Sequence, residues 1–193
     1  MSRQQAIKIV AIGDSITYGF PYTPAQSWLN QAAELLQIPY VNSGENGDTT
    51  DGMLIRFRRD VIRHQPTHVV IMGGTNDAYY GAEPGRVLAN IREMVELAWQ
   101  HGIIPVVGLP IPCNDVYESM LLSSYRDGMR SYAAANNLTV IDFCTPMTAD
   151  GGKTIKDGYH VDGVHPNRVG YKVMTETAVK VFKTFLPDAA EEQ

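Results

Sequence analysis

Short apolar runs alternate with longer stretches in which apolar residues recur every three or four positions. The runs occupy residues 7–12, 40–42, 68–72, 103–109 and 138–142, and the first is interrupted only by Lys8 and ended by Gly13. Such runs suit strands buried on both faces of a parallel sheet. Between them, Trp28, Leu29, Ala32, Leu35 and Leu36 recur at helical spacing. So do Val87, Ile91, Met94, Val95 and Ala98, ahead of the stop signal His101-Gly102. Residues 50–64 predict a helix with Leu54, Phe57 and Val61 on its apolar face. Arg56, Arg58, Arg59 and Arg63 fall largely off that face and read as solvated. Residues 125–135 predict another helix, and Tyr171, Met174, Ala178, Val181, Phe182 and Phe185 mark the last. Strands alternating with helices predict a three-layer α/β/α sandwich around a mainly parallel, five-stranded sheet.

In a sheet of this kind ligands bind outside the carboxyl ends of the strands. The first strand ends at Gly13-Asp14-Ser15, and the second is followed by Gly44-Glu45-Asn46-Gly47-Asp48. The third ends at Gly73-Gly74-Thr75-Asn76-Asp77, and the fourth at Pro110-Ile111-Pro112-Cys113. Three of these ends are glycine-rich and polar, which places a candidate site on that edge.

Composition narrows the class of partner. The 193 residues are 44% apolar and 19% charged, with a formal net charge of −5. That length predicts one domain over residues 1–193, with the polar stretch 187–193 as a frayed tail. A mildly acidic chain without basic clusters is a poor binder of nucleic acid or anionic membrane. No stretch approaches the roughly 20 apolar residues of a membrane span. The amino-terminal stretch lacks a secretory layout, so the expected location is cytoplasmic. Cys113 and Cys144 lack metal-type spacing, and sequence leaves them free or paired.

A serine nucleophile needs a base, a group that orients the base, and donors for the oxyanion. Ser15 lies just past a buried strand, where a turn would aim its hydroxyl into the cleft. In Asp162-Gly163-Val164-His165-Pro166, Asp162 and His165 are close enough on a tight loop to meet directly, leaving the other ring nitrogen for Ser15. Oxyanion donors are available in the backbone N–H groups of Ser15 and Gly47 and the side-chain amide of Asn76. Taken singly, each has a plainer use. Ser15 would cap a helix, Gly47 would make a turn with positive φ, Asn76-Asp77 would be turn residues, and Asp162 would cap its loop.

In combination they resemble the GDSL or SGNH hydrolases, an esterase and lipase superfamily. Gly13-Asp14-Ser15-Ile16 is similar to its first block, with Ile for Leu. Asn46-Gly47-Asp48-Thr49 is similar to the second, Gly74-Thr75-Asn76-Asp77 to the third, and Asp162-Gly163-Val164-His165-Pro166 to the last. The resemblance implies a flavodoxin-like fold and hydrolysis of a small-molecule ester through an acyl-serine, with no metal and no cofactor. Acyl-thioesters and acetylated carbohydrates are alternatives under the same mechanism. A non-catalytic flavodoxin-like domain binding phosphate is the alternative from another class, although neither phosphate-cradling glycine motif is present.

Around the site, Asp14, Tyr79, Tyr80, Cys113, Tyr117 and His160 are candidate substrate-binding residues. The tyrosine hydroxyls favour a partly polar, shallow site for short acyl groups. His160, Asp162 and His165 could also suggest a metal, but no second ligand cluster accompanies them. His68 is expected to open its strand at the surface.

Overall fold

A computed structural model describes residues 6–187; the expected frayed tail lies outside the described residues from 188 onward. Five strands, β1 (Ile9–Gly13), β2 (Tyr40–Gly44), β3 (His68–Met72), β4 (Ile104–Leu109) and β5 (Thr139–Asp142), form one all-parallel sheet in the order β2-β1-β3-β4-β5. The helices are α1 (Ser15–Tyr18), α2 (Trp28–Leu35), α3 (Thr50–Asp60), α4 (Thr75–Tyr79), α5 (Pro84–Gln100), α6 (Val116–Ala135), α7 (Cys144–Met147) and α8 (Arg168–Phe182).

Period-two alternation splits the strands between two cores. Val10, Ile12, Val69, Ile71 and Val107 meet Phe57 of α3, Ile91 and Met94 of α5, and Leu122 and Met129 of α6. Ile9, Ala11, Val70, Met72 and Val106 meet Trp28 and Leu29 of α2 and Tyr171, Met174 and Phe182 of α8. Both sheet faces are therefore covered, the burial that the apolar runs anticipated. The register aligns Gly13 with Gly44 on one side and with Met72 on the other. The ends of β1, β2 and β3 thus finish level, and the segments that follow them emerge on one edge.

Four expectations need correction. The helix expected over 125–135 begins at Val116, where Asp115 accepts the Glu118 N–H at 2.9 Å. Its early residues Val116, Tyr117 and Met120 are exposed, so they contribute no inward stripe. The helix expected over 50–64 breaks after α3 into a short 3-10 turn, Ile62–His64. His68 is buried, its ring stacked on Phe185 with centroids 4.3 Å apart, and burial pushes its pKa down. Most consequentially, Arg56 is not solvated: it is 6% exposed, whereas Arg58, Arg59 and Arg63 do face solvent. Cys113 and Cys144 are separate, buried free thiols.

Candidate active site

Where β1 ends, Asp14 caps α1, its Oδ1 accepting the Ile16 N–H at 2.8 Å. This makes Ser15 the first residue of a short helix at the sheet edge, 6% exposed. Its Oγ lies 3.0 Å from His165 Nε2, across 150 positions of sequence. The other ring nitrogen, Nδ1, lies 2.7 Å from Asp162 Oδ2. Asp162 Oδ1 accepts the backbone N–H of His165 at 2.7 Å and of Val164 at 3.0 Å. Burial raises the Asp162 pKa, but these hydrogen bonds and the neighbouring ring outweigh it and hold the carboxyl below its usual range. Gly163, at φ +88°, provides the backbone turn that lets residues three apart face each other.

The loop bearing Asp162 and His165 is closed on itself and tied to the body. Val161 N–H donates to His165 O at 3.0 Å, and Asn114 N–H donates to Gly163 O at 2.8 Å. His160 Nδ1 accepts the Gly163 N–H at 2.9 Å, while its Nε2 lies 3.3 Å from Asn114 Nδ2. Phe20 sets its ring edge against the His165 imidazole, with centroids 4.6 Å apart.

The second and third blocks flank Ser15. Gly47 is exposed at φ +78°. Asn76, in the first turn of α4, donates one amide hydrogen to Asp48 O at 2.8 Å, leaving its second for another acceptor. Among the described residues, neither the Ser15 nor the Gly47 N–H has an acceptor within the protein. Asp77 points the other way: buried, it takes the N–H and hydroxyl of Thr50.

The expected substrate-binding residues divide. Tyr79, Tyr80 and Tyr117 are exposed; Tyr79 ends α4 and Tyr80 caps it, their rings edge to face with centroids 5.2 Å apart. Asp14 and Cys113 are instead buried and offer no surface to a substrate. Burial raises the Asp14 pKa to about 6 and the Cys113 pKa to about 12. His160 braces the loop of Asp162 and His165 by accepting the Gly163 N–H at Nδ1. Among the described residues, no group of three or more His, Cys, Asp or Glu could hold a metal ion.

A hydroxyl within reach of an imidazole whose other nitrogen is held by a carboxylate can act as a nucleophile. The fold is a flavodoxin-ordered α/β/α sandwich with this group at the carboxyl edge of its sheet. The chain belongs to the GDSL-like lipase/acylhydrolase family, whose model matches residues 11–173. A lipolytic protein of the G-D-S-L family from Desulfitobacterium hafniense DCB-2 is similar in structure, with a TM-score of 0.84 and 33% identity, covering 90% of this chain and 98% of that one. The lipoprotein YqeF of Bacillus subtilis strain 168 is 35% identical over 117 residues, 54% of this chain and 48% of YqeF; the chain thus matches about half the length of that relative. Thioesterase 1/protease 1/lysophospholipase L1 of Escherichia coli K12 is 23% identical over 166 residues, 83% of this chain and 76% of the relative. No helix among the described residues is long and apolar enough to cross a membrane.

Proposed function

We propose that the protein is a serine hydrolase of small carboxylic esters, acting as one domain through an acyl-serine intermediate. The observation that carries this reading is the 3.0 Å contact between Ser15 Oγ and His165 Nε2, with Asp162 behind the ring at 2.7 Å. His165 Nε2 takes the hydroxyl proton as Ser15 Oγ adds to the acyl carbonyl. The oxyanion is met by the Ser15 N–H, the Gly47 N–H and the second amide hydrogen of Asn76. On collapse, His165 gives its proton to the departing alkoxide and the acyl group stays on Ser15. A water then gives a proton to His165 and attacks the acyl carbon; on collapse the bond to Ser15 breaks, His165 returns the proton to Ser15 Oγ, and the acid is released. Asp162 keeps the imidazole in the tautomer and orientation both halves require.

Acyl-thioesters fit the same steps with a thiolate as leaving group, and the name of the E. coli relative supports including them. Tyr79 and Tyr80 are exposed at the end of α4, the helix that carries Asn76, and their hydroxyls favour a short acyl group over a long one. The test combines labelling by a fluorophosphonate with hydrolysis of nitrophenyl esters from acetyl to palmitoyl, acyl-thioesters and acetylated sugars. Labelling of wild type but not Ser15→Ala, with kcat/KM highest for short esters, is the expected result. A wild type that neither labels nor hydrolyses any of them would leave a binding domain as the better reading.

A further inference from the structure

Arg56 is an arginine in the middle of α3 with its head group 6% exposed, and a buried guanidinium persists only when its donors are met. The acceptors it meets come from separate segments. Its Nε donates to Asp48 Oδ2 at 2.7 Å, and Nη2 donates to Gly13 O at 2.9 Å. Nη1 donates to Ser43 O at 2.9 Å and to Asp60 Oδ2 at 3.1 Å. One planar group therefore binds the last residue of β1, the end of β2, the loop after β2, and its own helix. A side chain at Gly52 would run into the Asp48 carboxylate, so the helix surface is cut back to admit this contact.

Each oxyanion donor is linked to one of those contacts. Gly13 stands two residues before Ser15. Asp48 directly follows Gly47, and its backbone oxygen holds the Asn76 amide at 2.8 Å. We propose that Arg56 is a positioning residue of the oxyanion site, its buried fork setting the spacing among the Ser15 N–H, the Gly47 N–H and the Asn76 amide. The inference rests on the ester-hydrolase reading above. A purely electrostatic role, neutralising Asp48 and Asp60, would be served equally by lysine. The fork would not, because a single ammonium cannot span three backbone segments at fixed angles.

The decisive variant is Arg56→Lys, with Asp48→Asn as a second break in the same chain of contacts and Arg58→Lys as a solvent-facing control on the same helix. Sites are counted by the end point of fluorophosphonate labelling, so that a lowered folded fraction does not register as a lowered rate. Per titrated site, Arg56→Lys should lose about 10²-fold in kcat with KM changed less than about threefold. Affinity for an alkylboronic acid, which forms a tetrahedral adduct on Ser15, should fall with kcat. The acid limb of the pH profile should stay in place, since the loop of Asp162 and His165 is untouched. Asp48→Asn should lose about tenfold, and Arg58→Lys nothing. Per-site kcat within about threefold of wild type in Arg56→Lys, or a loss with boronate affinity unchanged, would overturn the positioning role. If Arg56→Lys gives no titratable protein, a normal per-site kcat in Asp48→Asn overturns it instead. A wild type inert to the probe and to every ester removes the ester-hydrolase reading and this inference with it.

Discussion

Asp77 accepts both the backbone N–H of Thr50, at 3.0 Å, and its hydroxyl, at 2.6 Å, and so joins α4 to the start of α3. Asn90 of α5 adds a bond to the same hydroxyl at 3.0 Å. The carboxylate is buried and its pKa is raised by that burial, the Thr50 bonds opposing the rise. Asp77→Ala would leave two buried donors unmet and should destabilise the fold by about 2–4 kcal/mol. Asp77→Asn keeps one acceptor and should cost less. Urea unfolding of both checks this; equal midpoints for Asp77→Ala and wild type would refute it.

Ser15→Ala removes the proposed nucleophile while leaving Asp14 to cap α1. Turnover should fall by at least about 10³-fold with the unfolding midpoint nearly unchanged. A folded variant with near-normal turnover would reassign Ser15 to a structural role.

Asn76→Ala removes one proposed oxyanion donor. The expected loss is about 10² to 10³ in kcat, or roughly 3–4 kcal/mol, with KM much less affected. Steady-state kinetics on one short ester decides it, because an effect confined to KM would place Asn76 in ground-state binding.

Asp14 should make stability fall as pH rises. Burial raises its carboxyl pKa to about 6 from an ordinary value of 3.8, so the folded protein holds this proton more tightly than the unfolded chain. Its favourable contribution is complete below the unfolded value and is lost as pH rises through the folded one, a span worth about 3 kcal/mol. Asp14→Asn retains an oxygen for the Ile16 N–H but has no proton to lose. The variant should gain on wild type between pH 4 and pH 7, measured as the difference between their urea midpoints at each pH. A difference independent of pH would show that Asp14 is ionised throughout.

The central strands β1, β3 and β4 were legible because both of their faces are buried, which makes each a largely apolar run; β2 and β5, at the sheet edges, are less buried and include polar residues such as Asn42, Ser43 and Asp142. The grouping of Ser15, Asp162 and His165 was legible because Asp162 and His165 are close in sequence and Ser15 follows such a run. Arg56 was not legible. Its neighbours Arg58, Arg59 and Arg63 are solvated, and the acceptors that permit its burial lie on β1, β2 and the next loop, which helical periodicity does not report. Asp14 and Cys113 were misplaced for a related reason: proximity to a strand end does not say whether a side chain turns outward or into the core. The early part of α6 escaped notice because Val116, Tyr117 and Met120 face outward and its fully buried side is marked only by Ser119 and Leu122.

The candidate nucleophile and oxyanion donors follow β1, β2 and β3, adjacent strands within one sheet, whereas His165 sits on a surface loop braced by Asn114 and His160. Val161 and Asp162 are exposed and His165 is only partly buried, and surface loops of this kind open at lower free energy than core strands. Partial unfolding should therefore detach the proposed general base first, giving a protein that is still compact, with the proposed oxyanion donors in place, yet catalytically silent. Loss of turnover ahead of loss of circular-dichroism signal, together with fast amide exchange confined to residues 160–166, would be the mark of that dormant form.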